Sequence, residues 1–303
     1  MVLPFFYCME FQEFYTYLIT EKRSSGHTVE AYKSDLSQFS IYCRDSFEIS
    51  EYEEVTASVV RSWLASLMEK GYQSSSVHRK ISSINACFRF LLKNGKVRLN
   101  PAKGISKPKM PKRLPHYVEE KAMLTLYKGS ENLHDFPSIR NELILHLFYE
   151  TGIRLSELMQ LTDRDVDSSI GQIKVLGKRN KMRFVPVGKL TLEKINSYIR
   201  ERNRLELSVD GSFLIVSDGG KKISKSFVYN TVKSYLSTVT TQAKRSPHVL
   251  RHTFATHMLN NGADLNVIKE ILGHSSLAAT QVYTHNSIEK LKGIHKTMHP
   301  RSK

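Results

Sequence analysis

Apolar residues recur at helical spacing through the first hundred positions. Phe11, Phe14, Tyr15 and Leu18 share one face, and Val77, Ile81, Ile84, Phe88 and Leu91 follow one another at intervals of 4, 3, 4 and 3. Ser75 or Ser76 stands where an N-cap is expected, and Asn94-Gly95 where a helix stops. Residues 10 to 100 therefore read as a small bundle of helices joined by polar turns. The pattern then breaks: Asn100 to Pro115 hold four prolines, five basic residues and no acid. Proline suits neither a helix interior nor a central strand, so this stretch predicts an extended connector.

Helical spacing returns near residue 119, with Leu143 and Leu147 in a run that ends at Thr151-Gly152. Ile173 to Leu176 and Arg183 to Val187 are β-branched and aromatic runs around a Gly-Lys-Arg-Asn-Lys turn, which predicts a hairpin. Helices follow, including Asn266 to Leu272 closed by Gly273. After Ser287, Ile288, Leu291, Ile294 and Met298 predict a last amphipathic helix. The expected architecture is mainly α, in two domains. An N-terminal helical bundle spans 1–100, a basic Pro-rich linker 101–117, and an α-rich domain with a small β-hairpin or sheet 118–303. The chain has no internal repeat and no low-complexity segment.

Charge changes this picture. The 303 residues carry 45 Lys plus Arg against 29 Asp plus Glu, a formal net charge of +16. Such an excess is the footprint of a polyanion binder, with nucleic acid the leading partner; a basic surface that only aids solubility is the alternative. Lys107, Lys109, Lys112 and Arg113 in the connector are placed to follow a phosphate backbone. Arg179 and Lys181 sit in the hairpin turn, where residues 171 to 189 hold six basic residues and no acid. His78, Arg79, Lys80 and Arg89 flank a bundle helix, which reads either as a face laid against DNA or as a solvated polar face. Cys8, Cys43 and Cys87 lack metal or disulfide spacing and read as reduced, buried thiols. No basic segment precedes the apolar start from Val2 to Met9, and no apolar run approaches the roughly 18 residues of a membrane span. A cytoplasmic protein is expected.

A spaced set of side chains carries the candidate chemistry: Arg154, Lys178, His248, Arg251, His274 and Tyr283. A phosphodiester under attack gains negative charge, which the planar forks of Arg154 and Arg251 can hold bidentately. Lys178 can protonate a leaving oxygen. His248 and His274 can accept the phenolic proton of a tyrosine or bond a phosphate oxygen. Tyr283 is the candidate nucleophile, since a phenol near pKa 10 attacks well once cations or a base activate it. Singly, each has an ordinary alternative: a surface ion pair for an arginine, a solvated turn for the lysine, packing for a tyrosine. His252, His257 and His285 read as packing, supporting or surface groups. His248 and His252 have the spacing of a helical metal pair, but Val249 replaces the glutamate of a zinc hydrolase motif, and no metal is expected.

In combination these motifs resemble the tyrosine recombinase (phage integrase) family, and most of all its bacterial Xer chromosome-dimer resolvases. The matching runs are Thr151-Gly-Ile-Arg-Leu-Ser-Glu-Leu158, Gly177-Lys178 with Arg183-Phe-Val-Pro186, and His248-Val-Leu-Arg-His-Thr-Phe-Ala-Thr-His257. Asn261-Gly-Ala-Asp264, Ile271-Leu-Gly-His-Ser275, Val282-Tyr-Thr-His285 and the ending Met298-His-Pro-Arg301 complete them, while Thr28 to Phe39 resembles the family's N-terminal core-binding (SAM-like) region. The resemblance implies a catalytic pocket of Arg154, Lys178, His248, Arg251 and His274, supported by Glu157, with Tyr283 forming a 3′-phosphotyrosyl link to DNA and no cofactor. It implies a two-domain DNA clamp and a homo- or heterotetramer on double-stranded DNA, with a last helix docked on a neighbouring subunit or else packed on its own domain; whether a second recombinase or a DNA translocase takes part stays open. A mobile-element integrase or transposase, and a DNA-binding relative without catalysis, are the alternatives. Two departures stand out: Gly177-Lys178-Arg179 replaces the usual Gly-Lys-Gly turn, and His27 occupies a usually apolar position.

Overall fold

The computed structural model describes residues 9–109, 116–128, 135–177, 181–205 and 212–273. Its packing separates two units, Met1–Arg113 and Leu114–Lys303. The architecture is mainly α with a three-stranded antiparallel sheet.

The first unit holds α1 (Gln12–Thr20), α2 (Gly26–Phe47), α3 (Ala57–Glu69) and α4 (Ser74–Lys93). Ser25 opens α2 by accepting from the Thr28 amide, and Thr56 opens α3 by accepting from that of Val59. The predicted stripes form the core: Phe14 and Leu18 of α1 and Val77, Ile81, Ile84, Phe88 and Leu91 of α4 are buried with Leu36, Phe39 and Trp63. Tyr15 is only partly buried. Ser75 and Ser76 are not the cap of α4. Gln73 takes that position, its carbonyl accepting from Ser76 at 2.8 Å and Val77 at 3.1 Å. Placing Val77 in the core requires a helical turn ahead of it, and the serines become that turn. Asn94 ends the helix, followed by Gly95 at φ 67°. Cys43 and Cys87 are buried free thiols whose pKa burial raises, that of Cys43 to about 12.

One carboxylate organises the polar side of this bundle. Asp35 of α2 is wholly buried and accepts from Arg79 Nη1 at 2.5 Å, Lys80 Nζ at 3.0 Å and Ser83 Oγ at 2.8 Å. Lys80 also donates to Gln38 and lies over the rings of Trp63 and Tyr72. Its side chain is 6% exposed, so its charge serves the bundle interior and not a phosphate. This corrects the reading of Lys80 as a phosphate contact. Periodicity put Lys80 on a flank, but a buried acid 45 positions earlier draws it inward. His78 donates through Nε2 to the Pro108 carbonyl at 2.6 Å, tying α4 to the start of the connector.

The second unit comprises α5 (Glu120–Lys128), α6 (Phe136–Thr151), α7 (Leu155–Leu158), β1 (Val166–Asp167), β2 (Gln172–Leu176), β3 (Met182–Pro186), α8 (Lys189–Arg204), α9 (Lys225–Ser237), α10 (Pro247–Asn260) and α11 (Leu265–Leu272). α6 is apolar or internally paired on nearly every side and packs against α8, α9 and α10. The hairpin forms in the register Ile173↔Val185 and Leu176↔Met182, and the short β1 adds a strand that the sequence pattern did not show. Gly152 ends α6 at φ 60°, as the Thr151-Gly152 stop predicts.

Candidate active site

α6 ends where the candidate site begins. A Cβ on Gly152 would lie 2.6 Å from Phe254 of α10 and 2.8 Å from Leu272 of α11, so these three helices meet at a point only glycine fits. Two residues later Arg154, in extended backbone, is the N-cap of α7. Glu157, in the first turn, accepts the Arg154 amide on Oε2 and its Nη1 on Oε1, both at 2.7 Å. Glu157 therefore holds both the backbone and the side chain of Arg154.

Glu157 is 3% exposed. From β3, Arg183 meets it with a parallel fork, Nη1 to Oε1 at 2.8 Å and Nη2 to Oε2 at 2.9 Å. Burial works against the Glu157 charge, but the bonds and charge of Arg183, then those of Arg154, outweigh it and bring its pKa down to about 2.

Three arginines converge on the end of α11. A helix leaves its last carbonyls without intrahelical donors and carries partial negative charge there. Arg183 Nε donates to the Ile271 carbonyl at 2.7 Å, Arg251 Nη2 to that of Leu272 at 2.7 Å, and Arg154 Nη2 to that of Gly273 at 2.9 Å. The donors come from β3, α10 and the start of α7. Gly273, at φ 63°, closes the helix as the sequence predicts.

Arg251 is buried, and its Nη1 donates to the Gly152 carbonyl. Burial and then the charges of Arg154 and Arg183 lower its pKa to about 9, which leaves the guanidinium charged at neutral pH. His248 is exposed one turn earlier on the same face of α10. Its pKa is lowered by partial burial first, then by Arg251, His252, Lys225 and Arg154, so the neutral imidazole prevails at pH 7. Arg154, Arg251 and His248 are thus brought together. Lys178, Arg179, His274 and Tyr283 lie outside the described residues. Gly177, just before Lys178, donates its amide to the Lys181 carbonyl at 2.8 Å and lies beside Arg183 and Glu157. Gly273 precedes His274 directly.

Of the candidate phosphate contacts, Lys107, Lys109 and Lys181 are exposed, and Arg79 is 49% exposed while paired with Asp35. Lys112 and Arg113 lie outside the described residues. His252 is exposed, while His257 is buried against the Tyr149 hydroxyl, with Nδ1 2.9 Å away. The sequence motifs single out Glu157 and Arg154 as site residues but not Arg183. The signal for Arg183 was present: it shares a strand face with Val185, and a charge on an inward strand position requires a buried counter-charge.

The chain matches the phage integrase family over residues 116–290 and the phage integrase N-terminal SAM-like domain over residues 11–95. It is 38% identical to the tyrosine recombinase XerC of Thermodesulfovibrio yellowstonii, over 96% of each chain. It is 35% identical to that of Chlorobaculum parvum, over 97% of this chain and 95% of the relative. Its fold is that of the XerH site-specific recombinase bound to palindromic difH substrate, with a TM-score of 0.73 at 20% identity over 94% of this chain and 83% of that one. The Tn1549 transposon integrase in complex with circular intermediate DNA superposes with a TM-score of 0.69 at 19% identity, over 93% of this chain and 98% of the integrase fragment. The chain belongs to the phage integrase family, the tyrosine recombinases, and is a site-specific DNA cleaving and rejoining enzyme.

Proposed function

We propose that this protein is a Xer-type recombinase that acts on a double-stranded recombination site, assembles there as a homo- or heterotetramer, and resolves chromosome dimers in the cytoplasm. The observation that carries the reading is the meeting of Arg154 and Arg251, from separate elements, on adjacent carbonyls at the end of α11, with His248 one turn from Arg251. Two guanidinium charges held in place by these bonds suit the non-bridging oxygens of one phosphate. The Tyr283 phenolic oxygen attacks phosphorus, the bond to the 5′ oxygen breaks, and the phosphate stays on tyrosine as a 3′-phosphotyrosyl ester. The phenolic proton passes to a neutral histidine, His248 or His274, and Lys178 protonates the leaving 5′ oxygen. The freed 5′ hydroxyl of a partner strand then reverses the step. Lys107, Lys109, Lys112, Arg113, Arg179, Lys181 and Arg79 contact backbone phosphates, and the 101–117 segment links the two DNA-binding domains. Identity of 35% and 38% to XerC relatives along nearly the whole chain favours this outcome over mobile-element integration. Control by a DNA translocase or a second recombinase belongs to the same reading.

Covalent trapping tests it. The protein is incubated with a nicked recombination-site duplex and denatured in detergent, and wild type is compared with Tyr283→Phe. A DNA-linked band in wild type that is lost in a variant with unchanged DNA binding is the expected result. No band on cognate Xer sites, with binding intact, is the outcome of a catalytically silent relative; a band only on mobile-element ends sinks the chromosomal role.

A further inference from the structure

We propose that Arg183 is a positioning residue for the recombinase site, holding its separate parts in register without touching DNA. The inference rests on the functional reading above and adds a residue to it. The Arg183 side chain is 5% exposed, out of reach of a phosphate. All three of its guanidinium nitrogens are bonded. Nη1 and Nη2 hold Glu157, which holds the amide and guanidinium of Arg154. Nε holds the Ile271 carbonyl in the last turn of α11, whose next two carbonyls receive Arg251 and Arg154. Gly273 packs directly on the fork: a Cβ there would come within 3.2 Å of Arg183 Cδ and Nη1. A Cβ on Gly177 would be 3.5 Å from Nη1.

Each of these contacts adjoins a residue of the proposed chemistry. Gly177 precedes Lys178, Gly273 precedes His274, Glu157 fixes Arg154, and Arg251 bonds the carbonyl between Ile271 and Gly273. One planar group thus joins the hairpin, the N-cap of α7 and the C-terminus of α11. Lysine cannot replace it, because an ammonium is a point charge that cannot offer a parallel fork and a third donor on another edge of the same plane together. Misplacement by about 1 Å is enough to cost about 100-fold in rate.

The test uses the full chain with Arg183→Lys and Arg183→Met. Three properties are measured: folding by circular dichroism, DNA affinity by mobility shift, and the single-turnover rate of Tyr283-dependent adduct formation on a nicked recombination site. In parallel, the Arg154 Nε–H resonance is followed by NMR without DNA. The expected result is a folded Arg183→Lys with wild-type DNA affinity, an adduct rate lower by about 100-fold and a shifted Arg154 resonance. Wild-type rates in folded variants, or equal losses of binding and cleavage, would overturn the proposal. Failure of both variants to fold overturns it too, because Arg183 then acts as a structural residue. An absent adduct in wild type sinks the functional reading instead; the Arg154 resonance then decides this proposal alone, sustained by a shift and refuted by none.

Discussion

Arg251 and Gly152, 99 positions apart, are joined by a hydrogen bond from the guanidinium to the carbonyl of the residue that ends α6. The bond ties one arginine of the site to a backbone position that only glycine fits. Gly152→Ala must adopt φ 60° with a methyl 2.6 Å from Phe254. The left-handed conformation and the overpacking together cost about 3 kcal/mol. Urea unfolding of the full chain followed by far-ultraviolet circular dichroism should show the second unit melting earlier, and an unchanged midpoint would contradict the geometry.

Asp35→Ala strands the buried Lys80 ammonium and costs about 3–5 kcal/mol. Trp63, the one tryptophan of the chain, lies in the same bundle and reports its unfolding by fluorescence. Adding Lys80→Met should recover most of the loss, because the uncompensated charge is removed. No recovery would mean that Asp35 acts through Arg79 or Ser83.

Glu157 makes stability depend on pH. Its folded pKa of about 2 lies below the ordinary 4.5, so the unfolded chain binds more protons between these values and stability falls as pH drops through that window. The contribution, on the order of 3 kcal/mol, is complete above pH 5 or so. Glu157→Gln should be destabilised at pH 7, and its deficit should close as pH falls from 4.5 to about 2. A deficit that does not vary with pH would count against the arginine pairing as its origin.

His248 has its pKa below 6.5, through partial burial first and neighbouring cations second. Neutral imidazole therefore persists at lower pH, and with His248 as the proposed base the acid limb of single-turnover cleavage should fall below 6.5. In His248→Asn that limb should vanish along with most of the rate. A wild-type limb at or above 6.5 would remove His248 from the role of base.

Lys107 and Lys109 are exposed, while Lys80 is held by Asp35. Replacing the first two with alanine should lower the slope of log affinity against log salt by about 2. Lys80→Met should leave that slope unchanged. Mobility shifts across a salt series separate the cases, and equal slopes in all three proteins would dismiss the connector as a phosphate contact.

Much of this was legible in sequence because it is local. The apolar stripe of α4, the glycine stops at Gly152 and Gly273, and the pairing of β2 with β3 follow from periodicity and from backbone angles that favour glycine. Charge balance pointed to a polyanion, and the spacing of Arg154, Arg251 and His248 in family-like motifs pointed to phosphoryl chemistry. The cap of α4 and the short β1 were not legible, since core packing sets the former and pairing with β2 the latter.

The sequence by itself determined the family, the helical class and the residue types available for chemistry, because these depend on identity and near-neighbour spacing. Only the tertiary structure decided where the charges go. Lys80 and Arg183 are basic residues in basic stretches, and nothing adjacent to either in sequence names the partner it will meet. Distant partners draw each inward: Asp35 for Lys80, and Glu157 with the Ile271 carbonyl for Arg183. A buried charge persists only where such partners converge, and that convergence is a property of the fold.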